Sequence, residues 1–267
     1  MDKVRIVVAT HKKYRMPEDP MYLPLHVGKK GKDSLGYTGD DTGDNISEEN
    51  SSFCELTGLY WAWKNIDAEY VGLAHYRRHF SLRKKSKDPF DNILTSAEFN
   101  RLSAKYPVMV PKKRKYYIET MYSHYAHTHY AQHLDVTRDI IKEKYPRYLR
   151  SFDKVMKQRS AYMFNMMIMR KDLFDDYCGW LFTILFELKR RIGEKYSSLS
   201  AFQGRFYGRV SEILFNVWLD RKIKESRISE SDIKELPFIY MEKINWLNKG
   251  TSFIKAKFLN KKYDGSF

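Results

Sequence analysis

Cysteine is scarce, with only Cys54 and Cys178 in 267 residues. Both sit in apolar sequence with no metal-ligand spacing around them. That excludes a disulfide framework and predicts reduced thiols in a core. Long apolar runs are missing as well. The best candidates, YMFNMMIM and WLFTILF, fall far short of the roughly 20 residues that a membrane-spanning helix needs. The opening MDKVRIVVATHKK ends in charge and has no small-residue cleavage site, so it does not read as a signal peptide. These absences lead to the expectation of a soluble or peripheral protein on the cytoplasmic side. No low-complexity tract or internal repeat interrupts the chain. With 43% apolar and 15% aromatic residues it can bury a sizeable core, which excludes intrinsic disorder.

What is abundant is positive charge. Forty-eight Lys and Arg against 33 Asp and Glu give a net charge of +15. Such a field attracts nucleic acid, anionic headgroups or phosphorylated substrates. The excess clusters at Arg77 and Arg78, at Arg83, Lys84, Lys85 and Lys87, and at Lys112, Lys113, Arg114 and Lys115. A nucleic-acid-binding protein is the rival reading that this charge suggests, but no recognition motif accompanies it and the basic clusters are scattered.

Residues 4–10, VRIVVAT, predict a buried strand that ends at Thr10-His11-Lys12. From Tyr14 to Asn50, prolines and glycines predict a long irregular segment, and loops of that length are usually functional. Ser52 and Glu55 fit a capping box for a helix carrying Phe53, Leu56, Leu59, Tyr60 and Trp63. YVGLA at 70–74, VMV at 108–110 and residues 162–169 predict further strands. Residues 119–150 and about 171–191 read as helical, and a last helix buries Val210, Ile213, Leu214, Val217 and Trp218. This order implies an α/β fold with a mainly parallel sheet. Ligands in such folds lie beyond the carboxyl ends of the strands, which places Thr10-His11-Lys12 and His75-Tyr76-Arg77-Arg78 near one crevice.

Each candidate constellation carries a plainer alternative. Arg77 and Arg78 at a strand end can bind phosphate oxygens bidentately, or form a solvated basic turn. Asp40, Asp41 and Asp44 among glycines can ligate a hard cation, but an ordinary polar turn explains them better. His129 and His133, four apart, would share a helix face as zinc ligands can; with no further ligand, helical histidines are the better account. Glu212, read as lying in the first turn of the last helix beside Gly208 and Asn216, can act as general base or simply favour the macrodipole. FIKAKFLNKKY near the C-terminus can lie on an anionic membrane or form an ordinary packed helix.

The stretches VVATHKKYRMP, YLPLHVG, GDNISEENSSFCELTGLYWAWKN, YVGLAHYRRHF and GRFYGRVSEILFNVWL carry a resemblance that covers essentially the whole chain. The sequence resembles bacterial capsular and exopolysaccharide glycosyltransferases long catalogued as a domain of unknown function, some of them galactofuranosyltransferases. The resemblance implies a single GT-A-like nucleotide-sugar-binding domain over 1–248 with a helical C-terminal part, followed by a basic amphipathic tail at 249–267. It implies a nucleotide-sugar donor, foremost UDP-galactofuranose, and a glycan or lipid-diphosphate-linked acceptor. It also implies work at the inner face of the plasma membrane, in contact with anionic lipid and not with nucleic acid. Thr10, His11 and Lys12 would contact the nucleotide, and Asp44, Asn45 and Glu55 would shape the donor pocket. His75, Tyr76, Arg77 and Arg78 would bind the donor, with Arg77 or Arg78 neutralising the departing nucleoside diphosphate; Arg205 would approach the diphosphate or the acceptor, and Glu212 would be the base. Typical relatives of that fold hold Mn²⁺ or Mg²⁺ on an Asp-x-Asp where this chain reads His75-Tyr76-Arg77, so metal-independent catalysis is expected. A non-catalytic scaffold that keeps only the fold is the remaining alternative.

Overall fold

The computed structural model describes residues 2–82, 86–196, 199–200 and 202–242. The tail expected at 249–267, like Arg83, Lys84 and Lys85, lies outside them. In chain order the strands are β1 (Asp2–Thr10), β2 (Tyr22–His26), β3 (Thr38–Gly39), β4 (Ala68–His75), β5 (Arg78–Phe80) and β6 (Val108–Pro111). They continue with β7 (Arg114–Lys115), β8 (Ser160–Ala161), β9 (Met167–Arg170), β10 (Ile233–Leu236) and β11 (Phe238–Tyr240). The helices are α1 (Asn50–Phe53), α2 (Leu56–Asn65), α3 (Ser96–Ser103) and α4 (Met121–Thr128). Four more follow: α5 (Gln132–Lys144), α6 (Leu149–Lys157), α7 (Lys171–Ile192) and α8 (Phe206–Lys224). The chain forms two compact units, one of residues up to 112, 164–179 and 228–242, the other of 113–163 and 180–227.

The first unit is built on a sheet in the order β10-β6-β9-β4-β1-β2-β3. β1 lies parallel to β2 and β4, β2 to β3, and β6 to β10. β9 runs antiparallel between β4 and β6. The α/β class and the largely parallel sheet are as the sequence predicts. One face of β1 sends Val4, Ile6 and Val8 into a core shared with Tyr70, Phe80, Phe99, Met109 and Ile168. α2 packs on the opposite face. A Cβ at Gly58 would lie 2.9 Å from Val27 and 3.3 Å from Leu25, so glycine is what lets this helix approach the sheet.

Three local readings are corrected. The segment from Tyr14 to Asn50 is not irregular throughout, because it contains β2 and β3. Pro24 disguised β2. Ile6 N donates to Met21 O and Val27 N to Thr10 O, so the alternate residue Pro24 faces away from β1, where β3 pairs only from Leu25 onward. The capping box at Ser52 does not form: Ser52 Oγ donates to Glu49 O, and Cys54 at φ 53° breaks the helix before α2 begins. The strand predicted over 162–169 starts only at Met167, since Phe164 and Asn165 turn the chain at φ 77° and 52°. β10 and β11 are too short to show a period, and the sequence did not reveal them.

The second unit combines α4, α5, α6, α8 and the later part of α7 with the β7–β8 pair. α8 buries its predicted stripe and also Gly208, Ser211, Phe215 and Asn216. Asn216 Oδ1 accepts from Tyr162 N at 2.8 Å and its Nδ2 donates to Tyr162 O at 2.9 Å, clamping the chain beyond β8.

Gly72 in β4 tests the tightness of the sheet. A Cβ there would sit 2.9 Å from Met167 O, 3.0 Å from Ile168 and 3.2 Å from Ile6. Gly72→Ala is expected to lower stability by about 1–3 kcal/mol in urea denaturation. Gly204→Ala, whose Cβ would meet nothing within 4 Å, should leave stability nearly unchanged.

Candidate functional site

β1 and β4 are adjacent and parallel, with Ala9 in register with His75, so their carboxyl ends emerge together. Thr10 closes β1 with a small turn. Its buried hydroxyl donates to Lys12 O at 2.6 Å and accepts from Lys12 N at 3.3 Å. At the end of β4, Tyr76 N donates to Ala9 O at 3.2 Å, which stitches the two termini across.

The buried ring of Tyr76 is the meeting point. His75 packs against it at 4.5 Å, Tyr14 edge-on at 5.0 Å and His11 edge-on at 5.5 Å. The Lys12 ammonium stands 5.1 Å and the Arg77 guanidinium 5.4 Å from its centroid, within cation–π range. Lys12 also pairs with Glu242 at 3.3 Å. That hydrogen bond, with Tyr76 beside it, raises the lysine's pKa above its ordinary value.

The basic tetrapeptide is held from its far side by the end of the first unit. β5 pairs antiparallel with β11, and Met241 N donates to Arg77 O at 3.0 Å. Arg78 stacks over Phe164 at 4.6 Å and Tyr240 at 5.4 Å, whereas Arg77 lies over Tyr76, so the two neighbours face different rings. The Nε atoms of both arginines are buried without a hydrogen-bond partner among the described residues. Burial, then Arg78 and Arg77, pushes the His75 pKa well below its ordinary value and keeps that imidazole neutral.

The other predicted residues have other roles. Asp44 is fastened to α2: Tyr60 donates to its carboxylate at 3.1 Å and Asn65 Nδ2 to its carbonyl at 2.9 Å. Asn45 Oδ1 accepts from Ser47 N at 3.2 Å within the same loop. Glu55 Oε1 accepts from Asn165 Nδ2 at 2.7 Å, which ties the start of α2 to the turn before β9. Arg205 and Glu212 belong to the second unit. Arg205 is exposed and precedes α8, while Glu212 lies in the second turn of α8 and not the first.

The metal candidates dissolve into other bonds. Asp40 is fully buried and accepts from Gly28 N at 2.8 Å, Lys29 N at 3.0 Å, Thr57 Oγ1 at 2.6 Å and the Ser47 hydroxyl. His129 and His133 do not share a helix: His129 ends α4 and meets Gln203 at 2.9 Å, and His133 in α5 meets Tyr125 at 2.9 Å. Among the described residues no group of three or more His, Cys, Asp and Glu is placed to hold a metal ion. Two guanidinium groups beside a neutral imidazole likewise do not fit a divalent cation.

A profile for a domain of unknown function, DUF4422, matches residues 5–224. The chain belongs to this family. The DUF4422 chain also resembles a solved structure, the bifunctional glycosyltransferase WbbM in its apo form, at a TM-score of 0.82 and 31% identity. The match covers 91% of the DUF4422 chain and 46% of WbbM, so this chain spans about half the length of that protein. No curated protein sequence matches. The fold is shared, and the family is the one that the THK, ELTGLYWAWKN and HYRR stretches resemble.

Sequence reasoning missed Tyr14, Phe164, Asn165, Tyr240 and Glu242 as site neighbours. The one available signal was Asn165, a residue tolerant of left-handed backbone inside a supposed strand.

Two outcomes test these contacts. Asp40→Asn would set amide hydrogens against the donors of Gly28 and Thr57, so a loss of about 3 kcal/mol is expected in urea denaturation. His79, fully buried after Arg78, has its pKa pushed down to about 4 by burial. Between pH 6.5 and 4 the unfolded chain binds a proton that the folded one refuses. This group therefore costs stability as pH falls through that window, by about 3 kcal/mol in total. Denaturation midpoints should fall less steeply across this range in His79→Phe, the remaining slope belonging to His75 and His129, which burial also holds neutral.

Proposed function

We propose that this chain is a glycosyltransferase domain that takes its nucleotide-sugar donor at the carboxyl ends of β1 and β4. The observation that carries the reading is the likeness to a bifunctional glycosyltransferase over 91% of the chain. The chemistry of the strand ends supports it. Nucleoside diphosphate departure leaves negative charge, and Arg77 and Arg78 offer buried Nε donors, without a partner among the described residues, to meet it. Lys12, paired with Glu242, stands beside Arg77 over the same Tyr76 ring.

In this reading Thr10, His11 and Lys12 contact the nucleotide, and His75 and Tyr76 form the floor that carries the cations. Asp44, Asn45 and Glu55 shape the loop and helix around the donor. Arg205 serves the diphosphate or the acceptor. The anomeric carbon–oxygen bond to the diphosphate breaks as a bond to the acceptor hydroxyl oxygen forms, and Glu212 takes the hydroxyl proton. We assign the leaving-group charge to the arginines and derive no step through a metal. The donor is UDP-galactofuranose, and the acceptor is a lipid-diphosphate-linked glycan of capsule or exopolysaccharide synthesis. The enzyme works at the inner face of the plasma membrane, where its basic tail meets anionic lipid.

The test is release of nucleoside diphosphate from a panel of nucleotide sugars, with galactoside and glucoside acceptors, with and without EDTA. Acceptor-stimulated release from UDP-galactofuranose that persists in EDTA is expected; complete metal dependence would overturn the role given to the arginines. Arg77→Ala and Arg78→Ala should each lower kcat/KM by about 10²–10³. Glu212→Gln should lower kcat by about 10²–10⁴ with the fold intact. Normal turnover in that variant would remove Glu212 from the mechanism.

A further inference from the structure

After β7 the chain turns through residues that alternate between interior and solvent. Tyr116 is buried, its ring 4.4 Å from that of His124 and 5.0 Å beneath the Arg114 guanidinium. Glu119 is buried too, and its two oxygens meet Nδ1 of His124 at 2.7 Å and Nδ1 of His127 at 2.6 Å. Between these fixed points Tyr117 and Ile118 project outward, 75% and 58% exposed. Tyr117 holds a left-handed backbone at φ 54°, which an aromatic residue rarely adopts. The turn is closed by Ile118 N donating to Tyr116 O at 2.6 Å and by Arg159 Nη1 donating to Tyr117 O at 3.3 Å. The buried neighbours thus impose the outward pose, and the two apolar side chains cannot fold back without breaking that clasp.

Tyr117, Ile118 and Tyr122 are three of the five exposed large apolar side chains among the described residues. Tyr117 and Ile118 are adjacent in the turn and Tyr122 follows five residues later at the start of α4, so three of the five lie within six residues of chain, which is clustering and not scatter. Cations adjoin it: exposed Lys113 and Lys115 and half-buried Arg114 lead into the turn, and exposed Arg159 is bonded to Tyr117 O. The carboxylates nearest in sequence are Glu119, buried against its two histidines, and the exposed Asp135, which accepts from the Tyr122 hydroxyl at 2.9 Å; the four basic residues outnumber them. We propose that this turn is a membrane-docking wedge, with Tyr117 and Ile118 entering the interface of an anionic bilayer while Lys113, Lys115 and Arg159 meet its headgroups. Tyrosine at headgroup depth beside an aliphatic residue, adjoined by Lys and Arg, matches the chemistry of that boundary. A glycan would stack on the tyrosines and gain little from Ile118. A nucleic acid would use the lysines and be indifferent to Ile118.

The experiment measures partition of the full chain onto phosphatidylcholine vesicles with and without phosphatidylglycerol, in the absence of donor and acceptor. Its failure would therefore leave the transferase reading untouched. Tyr117→Ser with Ile118→Ser should weaken binding to the phosphatidylglycerol vesicles about tenfold at an unchanged thermal midpoint. Lys113→Glu with Lys115→Glu should weaken it about tenfold or more. In a third variant, Ile118→Trp, the emission in excess of that from the five native tryptophans, taken as the difference from wild type, should shift to the blue on these vesicles and be quenched by brominated lipid. That readout holds even if the serine pair fails to fold. Wild-type partition in both double variants, or an indole unmoved by vesicles, would overturn the proposal. So would sensitivity to the charge reversals alone, which would point to a polyanion, or a change in oligomeric state without any change in partition, which would point to a second copy of the chain.

Discussion

A single buried carboxylate holds the loop side of the first unit together. Asp40 has no solvent exposure, so its charge must be met by donors, and it finds two backbone amides at the exit of β2 and two hydroxyls, Ser47 and Thr57. An unmet charge there would cost several kcal/mol. The four bonds therefore fix how the β2 exit, the turn before α1 and the first turn of α2 meet. Once α2 is set, Gly58 brings it against Leu25 and Val27, and Glu55 reaches Asn165. The loop that carries Asp44 and Asn45 inherits its position from the same helix.

The strand ends follow a different logic, in which an aromatic surface gathers positive charge. Tyr76 is buried, yet Lys12 and Arg77 both stand over it, and Arg78 rests on Phe164 and Tyr240. Aromatic faces stabilise cations without consuming their hydrogens. Pairing each arginine with a carboxylate would have neutralised the region and occupied the same donors. Neutral His75 adds no further repulsion.

The fold was legible where the chain is long, apolar and periodic. β1, β4, α7 and α8 stand as the sequence implied, because strands buried on both faces read as unbroken Val, Ile, Leu and Ala runs. It was illegible where one residue overrode a pattern. Pro24 concealed β2, Cys54 broke a helix that propensity would have continued, and Phe164 with Asn165 cut short a strand. Within the site, Thr10 through Lys12 and His75 through Arg78 could be paired from topology alone. Asp40 could not be singled out from Asp41 and Asp44, since only burial distinguishes them. Tyr240 and Glu242 reach the site through pairing at long sequence separation, which no local pattern encodes.

That last pairing has a consequence for how the protein comes to exist. β10 completes the sheet beside β6, and β11 covers β5, but both come from residues 233–240. During synthesis the first strands leave the ribosome long before these partners do. β6 thus waits with an open edge, and Arg77 and Arg78 with uncovered flanks, while the whole stretch that forms the second unit is translated. A nascent chain in that interval exposes an edge able to pair with other chains. Its yield in the cell should therefore be sensitive to translation speed through the second unit in a way that the finished protein's stability is not.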